Sequence, residues 1–167
     1  PNKALNQVLT DNLINFAGRP DFDQADQDFA KQIQATLAPA QVEGALRKPV
    51  SVPEDSRLLA FSPLPSYDSG SYVMGSTDVG DVANMMPTSM VWGATWPVGV
   101  PHHSWQGSAC TGSSIALKGM ALMAKTLAGA IYDLANDPVL VEAARKEFAE
   151  RRQGRKWAPI GELLDQK

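Results

Sequence analysis

The chain of 167 residues has a single cysteine, Cys110, so neither an intrachain disulfide framework nor a cysteine-ligated zinc cluster can be built from it. A lone thiol suits a reducing, cytoplasmic setting. Net charge is also scarce, at −3. That argues against nucleic acid as a partner, since binding it needs a basic face. Carboxylate-bearing small molecules stay compatible, because one Arg or Lys in a pocket can hold a carboxylate. No stretch reaches the roughly 18 consecutive apolar residues that a membrane span needs, so no membrane partner is expected. The chain lacks a Gly-x-Ser-x-Gly elbow, which argues against a serine hydrolase of the α/β type. It opens on Pro1-Asn2-Lys3 rather than on Met, which suggests a processed or partial polypeptide.

Histidine is the scarcest chemical resource. The two present, His102 and His103, are adjacent. A hydrolytic metal site needs three or more ligands and an activating carboxylate. No carboxylate cluster with metal-ligand spacing accompanies these histidines, so any metal site they join must be completed from elsewhere.

Apolar periodicity supplies the rest of the reading. Leu5, Val8, Leu9, Leu13 and Phe16 recur at helical spacing and predict a helix over 4–16, stopped by Gly18 and Pro20. A second helix begins near Asp21 or Asp23, either of which can cap it, with Ala25, Phe29, Ile33 and Leu37 as its apolar stripe and Pro39 as its end. Five prolines between 39 and 70 predict a long loop, with one short strand at 57–61. Strand signals surround a glycine-rich turn over 72–96, and Ser89–Trp96 reads as a buried strand. A long helix follows over 108–136, with Met120 and Met123 in its core stripe. Asp137 and Pro138 then cap and open a last helix carrying Val141, Ala144 and Phe148. Cys110 reads as a small buried hydrophobe, and the basic group from Arg151 to Lys156 as a solvated helix end.

Two segments could carry chemistry. Gly75-Ser76-Thr77-Asp78-Val79-Gly80-Asp81-Val82 sets two glycines, two hydroxyls and two carboxylates in one loop. Such a loop can present backbone N–H groups to a ligand, or be an ordinary capped turn. His102-His103-Ser104-Trp105-Gln106 lies between the expected strand and the long helix, where α/β proteins place ligands. Adjacent imidazoles point in different directions, so the two are not expected to share one metal; a plain surface loop is the alternative.

Taken together, the segment 75–82 followed by Pro87-Thr88, the segment His103-Ser104-Trp105-Gln106, and Ser114-Ile115-Ala116-Leu117-Lys118-Gly119-Met120 leading to Asp137-Pro138 resemble the peptidase M20 amidohydrolases of the aminobenzoyl-glutamate utilisation type. Order and spacing match as well as letters, over roughly 4–149. The resemblance implies an α/β fold: the C-terminal part of a mixed-sheet, zinc-peptidase-like catalytic domain over 1–152, with helices packed on a small sheet. Residues 1–20 would match the tail of an inserted dimerisation domain, and 153–167 a polar tail.

It further implies hydrolysis of the amide bond of acyl or aroyl amino acids, such as aminobenzoyl-glutamate or small dipeptides. The catalyst would be a divalent metal pair, zinc or manganese, whose other ligands and activating Glu lie outside this chain. His103 matches the C-terminal metal-ligand position. His102 beside it departs from the pattern, so the ligand could be shifted by one residue. Thr77 and Asp78 match the loop lining the site and are given a substrate-binding role. The chain alone is expected to be inactive and to self-associate as a homo-oligomer through its exposed apolar surface. The alternative is a non-catalytic binding or assembly module that keeps half of the fold.

Overall fold

The computed structural model describes residues 1–47, 54–60 and 77–158. Helix α1 spans Lys3–Asn12, and its start is fixed by two side chains. The Asn2 side chain accepts from the Leu5 N–H at 3.0 Å while donating to the Ala144 carbonyl at 2.9 Å. From the last helix, Glu147 accepts from the N–H groups of Lys3 (2.8 Å) and Ala4 (3.0 Å). A carboxylate at the positive end of a helix dipole is favourable. Burial pushes the Glu147 carboxyl up, but these donors and the neighbouring Arg151 outweigh it and hold it below its ordinary value. The helix ends in a π turn over Leu13–Ala17, closed by the Gly18 N–H on the Leu13 carbonyl.

Helix α2 (Gln24–Gln34) is opened by Asp23 through a reciprocal capping box with Asp26. Its stripe is only partly the expected one: Ile33 and Leu37 are buried, Ala25 is exposed, and Ala30 carries the core contact. Pro39 does not simply end this helix. It opens another, α3 (Pro39–Leu46), where its missing N–H costs nothing at the first helical position. A single 3₁₀ turn lies at Glu54–Ser56, and α4 spans Val79–Met85. The expected long helix is two helices, α5 (Trp105–Thr111) and α6 (Ser114–Asn136), broken at Gly112-Ser113. Helix α7 (Pro138–Arg152) starts as expected, with the Asp137 carboxylate accepting from the Val139 N–H.

The expected sheet is absent: the described residues form helices and loops with no strand, and this corrects the α/β reading. A strand exists only when its backbone groups find a ladder partner. Ser89–Trp96 runs alongside α6 without one, and Trp92 within it is 66% exposed. Leu58 and Leu59, in the other expected strand, sit in bends, while Phe61 and the strand signals at 72–76 lie outside the described residues. The polar tail lies mostly outside them too.

Helices α1, α6 and α7 pack on one another, with the π turn also against α6. Asn12 joins α1 to α6, its amide donating to the Asp133 carboxylate at 2.6 Å. A second core gathers Phe22, Ala30, Leu59 and Ile115, which sets α2 against the start of α6. Gly119 lets the 89–96 segment lie directly on α6: a Cβ there would run into the Ala94 carbonyl oxygen. Helix α6 has the length and apolar composition of a membrane span, yet its Ile115, Leu122, Thr126 and Ala130 face is packed within the protein. Met120, expected in the core, is 59% exposed. The helix is apolar on nearly every side, so periodicity cannot say which face turns inward.

Candidate functional site

The histidine loop is built by its neighbours. Ser104 caps α5: its hydroxyl accepts from the Gly107 N–H at 3.1 Å and donates to the Pro101 carbonyl at 2.8 Å. Gln106 is buried and donates to the Thr36 hydroxyl at 3.2 Å, which ties α5 to the segment after α2. These two polar residues of the motif therefore hold the loop in shape.

The two imidazoles have different surroundings. The His102 ring stands edge-on to Trp96 and Trp92, with centroids 5.1 and 6.3 Å away. His103 makes no hydrogen bond or ring contact among the described residues and is exposed. Its φ is 58°, in the left-handed region, which costs a non-glycine residue about 1–2 kcal/mol. The Ser104 cap begins at the next residue, and it fixes the chain direction that this turn produces.

Thr77 and Asp78 lie at the start of α4, both exposed. The Thr77 hydroxyl accepts from the Val79 N–H at 3.3 Å; Asp78 occupies the cap position but makes no cap bond. Asp81, one turn on, accepts from the Trp157 indole at 3.2 Å, so α4 leans on the segment after α7. Gly75 and Ser76 of the same motif lie outside the described residues.

A cavity of about 400 Å³ opens beside α4, lined in part by Asn84, Thr88, Phe148, Arg155 and Trp157. Its arginines are engaged: Arg151 binds Glu147 at 2.7 Å, and the Arg155 guanidinium donates to the carbonyls of Arg151 and Arg152 at the end of α7. A second, groove-like cavity of about 290 Å³ runs between Thr95, Trp96 and Met120. Neither is lined by His103, Thr77 or Asp78, so neither joins the sequence-predicted residues. Among the described residues, no three His, Cys, Asp or Glu side chains are grouped to hold a metal ion. Cys110 is fully buried, and burial pushes its thiol pKa up, away from the thiolate.

The strongest electrostatic feature is not visible in the sequence. Asp26, 1% exposed, receives three donors: the Lys118 ammonium at 2.5 Å, the Asp23 N–H at 2.9 Å and the Ser114 hydroxyl. Lys118 also reaches Asp23 at 2.8 Å. Burial pushes the Asp26 carboxyl up, but Lys118, Ser114 and the Asp23 N–H together hold it below its ordinary value. Hydrogen bonding to Lys118 lowers Asp23 as well, and the two carboxylates, Asp23 foremost, raise Lys118. This cluster clamps the start of α2 to the start of α6. Its partners stand 88 to 95 residues apart, and only the cap role of Asp23 is readable locally.

In sequence the chain is 32% identical, over 160 residues, to a p-aminobenzoyl-glutamate hydrolase subunit of Escherichia coli (strain K12). The match covers 90% of this chain and 33% of that protein, so the chain spans about a third of the length of the relative it matches. No family model matches the chain, and no solved structure matches it.

Proposed function

We propose, from the likeness to the E. coli p-aminobenzoyl-glutamate hydrolase subunit, that this chain is part of an amidohydrolase cleaving aroyl or acyl amino acids. The match over nine-tenths of the chain carries this reading, and it takes in the segments around Thr77 and His103. His103 is our candidate for one donor to a divalent metal pair, zinc or manganese. Two features support it over His102: its imidazole is unengaged among the described residues, while the His102 ring is packed on Trp96 and Trp92, and its backbone is held in a costly conformation next to a cap. A lone imidazole does not make up a metal pair's coordination, so no catalytic step is assigned to the described residues. Thr77 and Asp78 are candidates for contacting the substrate from the start of α4.

The test places this chain in the E. coli protein in exchange for its matching third and follows p-aminobenzoyl-glutamate hydrolysis and metal content. The chain alone is expected to be inert and the exchanged protein active. His103→Ala should lower kcat/KM by about a hundredfold or more and reduce bound metal, while His102→Ala costs less than about tenfold. A folded exchanged protein that hydrolyses nothing, or one indifferent to His103→Ala, refutes the reading.

A further inference from the structure

Helix α4 has the Thr77-Asp78 pair at its start, yet little of its own surface holds it in place. None of its residues is buried, and all but Val79 are exposed. The cavity of about 400 Å³ is lined by Ala83 and Asn84 of α4 and by Phe148 and Arg152 of α7, so the two helices do not close on each other there. A helix of seven residues with no buried face has no packing that fixes where it stands. Among the described residues, one hydrogen bond leaves α4 for a distant part of the chain: the Trp157 indole donates to the Asp81 carboxylate at 3.2 Å.

The donor end of this bond is firmly mounted. Helix α7 packs on α1 and α6. Past its last turn, Gln153 (φ 51°) and Gly154 (φ 74°) take left-handed conformations that turn the chain back. The Gln153 N–H donates to the Ala149 carbonyl at 3.1 Å, and the Arg155 N–H to the Arg152 carbonyl at 3.0 Å. The Arg155 guanidinium adds bonds to the carbonyls of Arg151 and Arg152, and the Arg152 Nε–H donates to the Arg155 carbonyl. Trp157, two residues on, is half-buried. At the acceptor end, the Asp81 N–H donates to the Asp78 carbonyl at 3.0 Å. Two hydrogen bonds in series therefore run from a fixed helix end to the backbone of Asp78.

We infer that Trp157 is a positioning residue: by holding Asp81 it sets where Thr77 and Asp78 stand. The inference rests on the reading of those two residues as substrate contacts, and one arm of its test needs no activity. In the full chain, Trp157→Phe keeps a ring and removes the indole N–H. It should speed hydrogen exchange at the Asp81, Val82 and Met86 amides, which are bonded within α4, by about fivefold, the loss expected of one hydrogen bond. Amide exchange in α1, α6 and α7 should stay as it was, and so should far-UV circular dichroism. In the E. coli protein carrying this chain for its matching third, the same variant should raise KM for p-aminobenzoyl-glutamate by about fivefold and leave kcat within about twofold, because binding alone is weakened. Asp81→Ala should match it, and the double variant should be no worse than either single one. Asp81→Asn keeps an acceptor oxygen and should recover most of the binding that Asp81→Ala loses. Unchanged α4 exchange in Trp157→Phe overturns the inference. So does a KM that does not move, a fall in kcat at constant KM, or an Asp81→Asn variant as impaired as Asp81→Ala. An exchanged protein that is inert even with the unaltered chain refutes the amidohydrolase reading by itself, and the amide-exchange arm then decides whether Trp157 holds α4.

Discussion

Replacing Asp26 with Asn tests whether the buried carboxylate is the clamp between α2 and α6. Asn keeps the shape, and its amide can satisfy every neighbour. The oxygen takes the place of the one that accepts from Lys118 and the Asp23 N–H, and the NH₂ faces the Ser114 hydroxyl. Only the charge is lost. Bonds to a charged group contribute about 1.5–3 kcal/mol each, and neutral ones roughly half of that. Because the neutral bonds survive, the net cost of Asp26→Asn is about 2 kcal/mol. For a chain of this size that lowers Tm by about 4–8 °C.

The dependence on pH is the sharper readout. The folded Asp26 carboxyl lies below its ordinary value of 3.8. Its contribution is therefore complete above 3.8 and is lost as pH falls through the folded value. Asn mimics the protonated acid, so wild type and variant should converge in that acid range and stand apart at neutrality. Lys118 behaves in the opposite sense. Its value is raised above 10.5, so its contribution is present below 10.5 and disappears as pH climbs through the folded value. Chemical denaturation of both proteins from neutrality down to about pH 3 measures the gap. A gap below about 0.5 kcal/mol at neutrality, or one that does not narrow on acidification, would refute the clamp.

Two further outcomes follow from backbone geometry. Gly119→Ala should destabilise by about 1–3 kcal/mol, because its Cβ meets the backbone carbonyl of Ala94. Gly93→Ala should cost less, since it meets Met123, a side chain that can turn aside; paired urea melts showing the reverse order would be inconsistent with this packing. His103→Gly should leave Tm unchanged or raise it, because glycine takes a φ of 58° without penalty. A loss above about 1 kcal/mol would mean that the imidazole supports the fold.

Local chemistry in the sequence announces helix starts well. Asp23 and the Asp137-Pro138 pair do what their types predict, because a cap is satisfied within three residues of itself. Two boundaries depart from the local reading for the same kind of reason. Proline both ends and begins helices, and at Pro39 the letters alone do not say which of the two jobs it has. The small residues from Thr111 to Ser114 fit either one continuous helix or a break at Gly112-Ser113, and there too the letters alone do not decide. The sheet fails because Ser89–Trp96 has the composition of a strand, whereas pairing depends on a neighbour that composition cannot supply. What holds the segment is instead the flat surface made by Gly119, a residue 23 positions beyond Trp96.

The candidate site divides along the same line. Motif residues whose work is local act close to themselves: Thr77 turns its hydroxyl to a nearby N–H, and Ser104 caps a helix that starts at Trp105, ahead of the expected start at 108. Residues whose work needs distant partners are not legible from the letters. Lys118 belongs to one of the family-like segments, and without the fold it reads equally well as a ligand-binding cation. Its ammonium is instead spent on Asp23 and Asp26. The same holds for Arg155, just beyond α7, whose guanidinium satisfies the carbonyls of Arg151 and Arg152 at the end of that helix. Several motif side chains, Asp78, His102 and His103 among them, make no hydrogen bond among the described residues, and His103 differs from the others in its positive φ.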